Sequence, residues 1–204
     1  MKKVLLTGFE PFGGDSINPA LEVINELSAE KIPGVELIVL QIPVVFGKAF
    51  EVLTAKIVEE KPDLILSIGQ SGGSVAISIE RVGINIDDAR MADNEGNTPE
   101  DEAIVPDGPA AIFTTINTRE TVTAIKNAGI PVELSYSAGT YVCNNLTYGT
   151  LYFLETSKIN TKYGFIHVPF LPQQATTKKI MIPPSMSLDT MKQAIKIAIA
   201  VNLK

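Results

Sequence analysis

Asp63-Leu64-Ile65-Leu66-Ser67-Ile68-Gly69-Gln70 is the stretch that sets the architecture. From Leu64 to Ile68 it is almost continuously apolar, where a strand with one wet face would alternate. Such a run reads as a central strand of a parallel sheet, covered on both faces. Pro62 ends the segment before it, Phe46 to Lys61, in which Phe50, Leu53, Ile57 and Val58 are spaced for one face of a helix. Further upstream, Val35 to Ile42 is a strand stopped by Pro43, and Val4 to Thr7 is a buried first strand. Asn18-Pro19 opens a helix to about Leu27, with Asn as N-cap and Pro at the first helical position. Strands and helices alternate, which predicts an α/β fold with a largely parallel sheet and helices on both faces.

Downstream of Gln70, Val75 to Ile86 alternates as strands do. Val75, Ile77 and Ile79 share one face, while Ser78, Glu80, Val82 and Ile84 share the other. Glu80 therefore lies on a face that turns apolar and needs a partner, since a buried unpaired charge is very costly. Arg81 points the other way. Asp87 to Pro109 is a long acidic loop, which in a compact domain is functional or mobile. Asn117 or Thr118 caps the next helix, with Glu120 placed for a capping box, and Gly129 ends it. Ile130 to Leu134 is a strand, Gly164 to Val168 another, and Pro172 to Pro184 a loop. Ser187 opens a last helix to about Leu203, apolar over most of its surface and so buried in the fold or against a partner subunit.

The 204 residues allow one domain or two small ones, and no boundary stands out, so residues 1–204 read as a single domain. A net charge of −6 without any basic run argues against nucleic acid and anionic membranes as partners. No stretch approaches the ~18 apolar residues of a membrane span. Lys2-Lys3 precedes only a short apolar run, unlike a signal peptide. One cysteine cannot make an internal disulfide, so a cytoplasmic location is expected. With one Cys and one His, a zinc cage of those residues cannot form within the chain.

That cysteine stands in Ser135-Tyr136-Ser137-Ala138-Gly139-Thr140-Tyr141-Val142-Cys143-Asn144-Asn145, where a strand and a small-residue turn hand over to a helix. The unpaired N–H groups and positive dipole end of a helix favour a thiolate there. The plainer reading is a buried structural cysteine. If the chain is a Cys–His hydrolase, the pair must be Cys143 and His167. His167, in Phe165-Ile166-His167-Val168-Pro169, also reads as a satisfied core histidine. Glu80 is the first choice to orient it, with Asp87 and Asp93 as rivals. Gly8-Phe9-Glu10-Pro11-Phe12-Gly13-Gly14 is no phosphate loop, because Gly14-Asp15 stands where Lys-Ser/Thr is required. Its phenylalanines either cap the core or line a pocket. The loops at 8–14, 69–74 and 135–143, with the end of the His167 strand, are expected to gather at the carboxyl ends of the strands.

Taken together, the motifs resemble the type I pyroglutamyl peptidases, a cysteine peptidase family. The resemblance spans essentially the whole chain. It rests on residues 8–14 with Asn18-Pro19, on Pro43-Val44-Val45-Phe46, and on Gly69-Gln70 running through Ile77-Ser78-Ile79-Glu80-Arg81-Val82-Gly83-Ile84-Asn85. It continues through Asp88-Ala89-Arg90, Asp93-Asn94, the cysteine stretch and Phe165 to Pro169. It implies a three-layer α/β/α sandwich that removes an N-terminal pyroglutamyl residue from peptides without cofactor or metal, as a cytosolic homotetramer. The family triad falls on Cys143, His167 and Glu80. Phe9 and Phe12 fall on the aromatic walls of the lactam pocket, Tyr141 and Val142 on its further lining, and Asn18 and Gln70 on polar groups near the substrate. Arg90, with the Cys143 N–H, falls near the oxyanion. Met91-Ala92 replaces the usual Ile-Pro, and Ser74 stands where Arg is common. A different Cys–His amidase and a catalytically silent small-molecule binding protein are the competing readings.

Overall fold

In the structure, a computed structural model describing residues 1–178 and 181–204, Leu64–Gln70 forms an inner strand of the main sheet. The elements in chain order begin β1 (Lys2–Phe9), α1 (Pro19–Ser28), β2 (Val35–Ile42), α2 (Lys48–Glu60), β3 (Leu64–Gln70), β4 (Ile77–Glu80) and β5 (Val82–Ile84). They continue with β6 (Ala111–Phe113), α3 (Thr118–Asn127), β7 (Val132–Ser135), α4 (Val142–Thr156), β8 (Lys162–Val168), α5 (Pro172–Ala175) and α6 (Leu188–Asn202). The six-stranded sheet runs β2-β1-β3-β8-β4-β7, and β5 and β6 form a separate antiparallel pair. β1, β2, β3 and β8 pair in parallel, and β4 runs antiparallel to β8 and parallel to β7.

The apolar character of β3 follows from its position. Leu64, Leu66 and Ile68 enter a core with α1, α3 and α6, while Ile65 enters the opposite core with α2 and α4. All are fully buried, which stabilises the fold by about 2 kcal/mol for each such side chain. β1 divides in the same way, Val4 and Leu6 to one side and Leu5 to the other. The result is the expected α/β/α sandwich.

Several local expectations change. The run from 75 to 86 is two strands in two sheets, broken at Arg81, whose N–H donates to Ser135 O while its own carbonyl accepts from Thr114 N. The first strand runs on through Phe9, beyond the expected end at Thr7. α2 begins at Lys48 rather than Phe46, because Gly47 turns with φ 70° and the Phe46 N–H is taken by Asp93. Asn117 caps α3 without a side-chain bond and without the capping box; its N–H donates to Asn202 Oδ1. The loop expected at 172–184 contains the single turn α5, and residues 179–180 of it lie outside the described residues. α6 buries Met191, Ile195 and Ile199 within the chain, and its Lys192 and Lys196 pair with Glu30, just beyond the end of α1. Its apolar face is therefore already used inside the chain and lends no support to a subunit contact.

Candidate active site

Cys143 is the second residue of α4, as the strand–turn–helix reading expects, and it is half-buried with a free thiol. The two asparagines after it fix the helix start. Fully buried Asn144 donates through Nδ2 to Ile84 O and Ile86 O, and its Oδ1 accepts from Ile84 N–H. Asn145 Nδ2 donates to Asp87 Oδ2 at 2.7 Å, and its Oδ1 accepts from Gly47 N–H. In the first turn of a helix the N–H groups have no intrahelical acceptor, and none for the Cys143 N–H occurs among the described residues.

His167 is near the end of β8 and faces α4 rather than the α1–α3–α6 core that takes its neighbours Ile166 and Val168. Its ring packs against Phe165, with centroids 4.9 Å apart. A Cβ on Gly69, opposite His167 in the β3–β8 register, would lie 2.7 Å from the Phe165 ring and 3.1 Å from that of His167. The missing side chain is what makes room for both rings. His167 Nδ1 is 2.8 Å from Glu80 Oε1, and Glu80 is only 1% exposed. The buried carboxylate thus finds its partner across the sheet, two residues along β4 from Ser78, which stands opposite His167. Burial alone would lower the affinity of the imidazole for a proton. Its hydrogen bonds with Cys143 and Glu80, and their charges, outweigh that and raise its pKa to about 10.

The rival carboxylates are occupied elsewhere. Asp93 accepts from the N–H groups of Phe46, Glu95 and Asn97 and from Asn97 Nδ2, which pins the 93–97 turn to the start of α2. These donors outweigh its burial and hold the carboxyl below its usual range. Asp87 is bound to Asn145, and burial pushes its carboxyl up to about 6.

Beside Cys143 is a narrow cavity of about 10 Å³, walled by Phe9 and Phe12 and completed by Tyr141 and Val142. Both readings of the loop phenylalanines hold in part. Phe9 is core, packed against Phe165, and lines the cavity; half-buried Phe12 is 6.3 Å from the Tyr141 ring. Tyr141 donates its hydroxyl to Ala92 O, and its pKa is pushed up to about 12, by burial first and then by Asp93 and Cys143. Asn18 also lines the cavity, but its side chain serves the fold, accepting from Ala20 N–H and donating to Glu10 O. Gln70 lines it too. Its Oε1 accepts from Gln174 Nε2, which leaves the Gln70 amide N–H₂ as the free donor. Arg90 is exposed and lines neither this cavity nor the groove beside it.

Compared with known protein families, residues 2–204 match pyroglutamyl peptidase. The chain belongs to the pyroglutamyl peptidase family. That makes it a cysteine peptidase, a hydrolase. It is similar to the pyrrolidone-carboxylate peptidase of Thermosipho africanus, at 50% identity over 99% of this chain and 97% of that one. To the Escherichia fergusonii relative of the same name it is 47% identical, over 100% of this chain and 94% of the other. Among solved structures, pyroglutamyl peptidase I from Bacillus amyloliquefaciens superposes with a TM-score of 0.94 at 43% identity, covering 98% of this chain and 94% of that one. A mutant pyrrolidone carboxyl peptidase from Pyrococcus furiosus gives 0.95 at 44%, covering 98% of each.

Some residues around this cavity are given no role of their own by the sequence reading. Val44 completes the cavity wall. Gln174 orients Gln70 while donating also to Ile17 O and accepting from Leu171 N–H. Asn144 and Asn145 had one available clue, two adjacent amides directly after the cysteine, in a segment otherwise read for its thiol.

Proposed function

We propose that this chain hydrolyses the amide bond after an N-terminal pyroglutamyl residue, through a thioester on Cys143. The observation that carries it is that Cys143 lines one groove with the hydrogen-bonded pair His167–Glu80, beside a narrow aromatic cavity. An imidazolium and a helix N-terminus both favour a sulfur anion at Cys143. The thiolate attacks the carbonyl carbon, and the resulting oxyanion meets the unpaired Cys143 N–H. The resemblance gives Arg90 as a second donor, and its exposed side chain would have to turn into the groove to act as one. The imidazolium gives its proton to the leaving amine as the C–N bond breaks. The neutral imidazole then takes a proton from water as the water attacks the thioester, which releases pyroglutamate and restores the pair. Glu80 orients the ring through Nδ1 and balances its charge.

The cavity has the lining for a small flat lactam, and its half-buried walls Phe12 and Tyr141 must part to admit the ring, since it is now only about 10 Å³. Phe9, Phe12 and Tyr141 cover the ring, and the free Gln70 N–H₂ can donate to the lactam carbonyl. Proline lacks that carbonyl and carries a charged amine, and free N-terminal glutamine carries an ammonium, which would be stranded among aromatic rings. Rejection through unpaired buried polar groups reaches ~10⁴-fold. A panel of fluorogenic amides on the purified protein tests the reading. Pyroglutamyl amide should turn over, with prolyl and glutaminyl amides slower by about that factor. Phe12→Ala should lower kcat/KM markedly while Cys143 still alkylates. Turnover of the prolyl amide within about tenfold would contradict the pocket.

No helix among the described residues is long and apolar enough to cross a membrane. The cytoplasmic location rests on the single cysteine together with the family resemblance, and the homotetramer, with the α6 face used inside the chain, on the resemblance. Light scattering checks the assembly, and a monomer mass at micromolar concentration would remove the tetramer.

A further inference from the structure

An open groove of about 470 Å³ adjoins the lactam cavity and shares Phe12, Gln70, Tyr141 and Cys143 with it. With the lactam in that cavity, this groove is the open space beside Cys143 into which the chain beyond the scissile bond leads. Its floor is the sheet face bearing His167. In the pairing of β8, β4 and β7, His167 stands opposite Ser78, and Ser78 opposite Glu133. Those three side chains thus form one row across three neighbouring strands. Apart from Glu80 and the reacting pair Cys143 and His167, Glu133 is the only charged side chain among the described residues that line the groove; the others are serines, glycines and further uncharged residues.

Glu133 is exposed, and its Oε1 accepts from Ser78 Oγ at 2.9 Å. The serine holds the carboxylate over the groove and leaves Oε2 free. Two strand spacings set Glu133 about 10 Å from His167. The backbone of the second leaving residue covers roughly half of that distance, and an extended lysine or arginine side chain covers the rest.

We propose that Glu133 is a specificity-determining residue on the leaving-peptide side, favouring a basic side chain at the second residue after the scissile bond and disfavouring an acidic one. The proposal rests on the pyroglutamyl peptidase reading above. Ser78 supports it as the group that fixes the carboxylate.

The test uses pyroglutamyl-alanyl peptides amidated at the C-terminus, with arginine, alanine or glutamate as the last residue. The wild-type protein should prefer arginine over glutamate by about tenfold in kcat/KM at low salt, from attraction of one and repulsion of the other across a solvated gap. The preference should shrink toward unity in molar salt, where the Debye length is about 3 Å. Glu133→Gln, which can still accept from Ser78, should level the arginine-to-glutamate ratio, and Glu133→Lys should invert it. The alanine peptide is the reference within each protein, so the ratios do not depend on overall activity. An unchanged ratio in Glu133→Gln, or no charge preference in the wild type, would overturn the role of Glu133 while leaving pyroglutamyl hydrolysis intact. Failure of the wild type to cleave any of the three would overturn the reaction itself, and this proposal with it.

Discussion

Cys143→Ala removes turnover, by ~10⁵-fold or more, because no other group in the site can carry the acyl transfer. The chain has one cysteine, and the groove hydroxyl beside His167, that of Ser78, is committed to Glu133. Cys143→Ser leaves at most a trace, since a hydroxyl has no anion population comparable to that of a thiol beside an imidazolium. The fold should survive both changes. Cys143 is half-buried, and the helix start is held by Asn144 and Asn145 rather than by the thiol. Circular dichroism checks the fold and a pyroglutamyl amide checks the rate. A Cys143→Ala protein with more than about a hundredth of wild-type activity would contradict the assignment, given the size of loss expected for a missing nucleophile.

His167→Ala should cost about 10³-fold or more, since the base and acid roles fall on one ring. It should also destabilise the protein by roughly 3 kcal/mol, because Glu80 would be left as an uncompensated buried charge. Its second oxygen, Oε2, already has no partner among the described residues. Glu80→Gln should cost less in rate, as the third group orients rather than transfers. The sign of the pH dependence follows from the raised imidazole pKa. The imidazolium persists through neutral pH, and its contribution to stability is complete below the unfolded value near 6.5 and lost as pH rises through about 10. Activity should fall over the same upper range as the leaving amine loses its proton donor. Near-normal activity in Glu80→Gln beside a dead Asp93→Asn would move the orienting role to Asp93.

Much of this was legible in the chain because it is local. The both-faced burial of Leu64 to Ile68 is written as a continuous apolar run. The Asn18-Pro19 start and the strand–turn–helix around Cys143 carry their own backbone chemistry. Glu80 was readable as a carboxylate needing a partner, because strand alternation put it on a covered face. The identity of the partner was not readable, since it depends on the β4–β8 register, which nothing within either strand specifies. The break at Arg81 was hidden for a related reason. β5 continues the alternation of β4, and only pairing with β6, too short to announce itself at Ala111–Phe113, pulls it into another sheet. Gln174 reaches Gln70 across most of the sequence, and Asp93 holds a turn rather than a ring. The resemblance supplied what the pattern alone left open, namely Glu80 over Asp87 and Asp93 and the cavity role of Phe9 and Phe12.

The central claim is that the only thiol in the chain, paired with His167, performs the hydrolysis. Stepwise alkylation of the native protein with iodoacetamide, followed by residual turnover of a pyroglutamyl amide and the mass of the Cys143 peptide in the same samples, tests it most directly. The account predicts that activity falls in proportion to modified Cys143 and vanishes at full modification, and that a pyroglutamyl analogue occupying the cavity slows both together. Turnover persisting with Cys143 fully alkylated would contradict it.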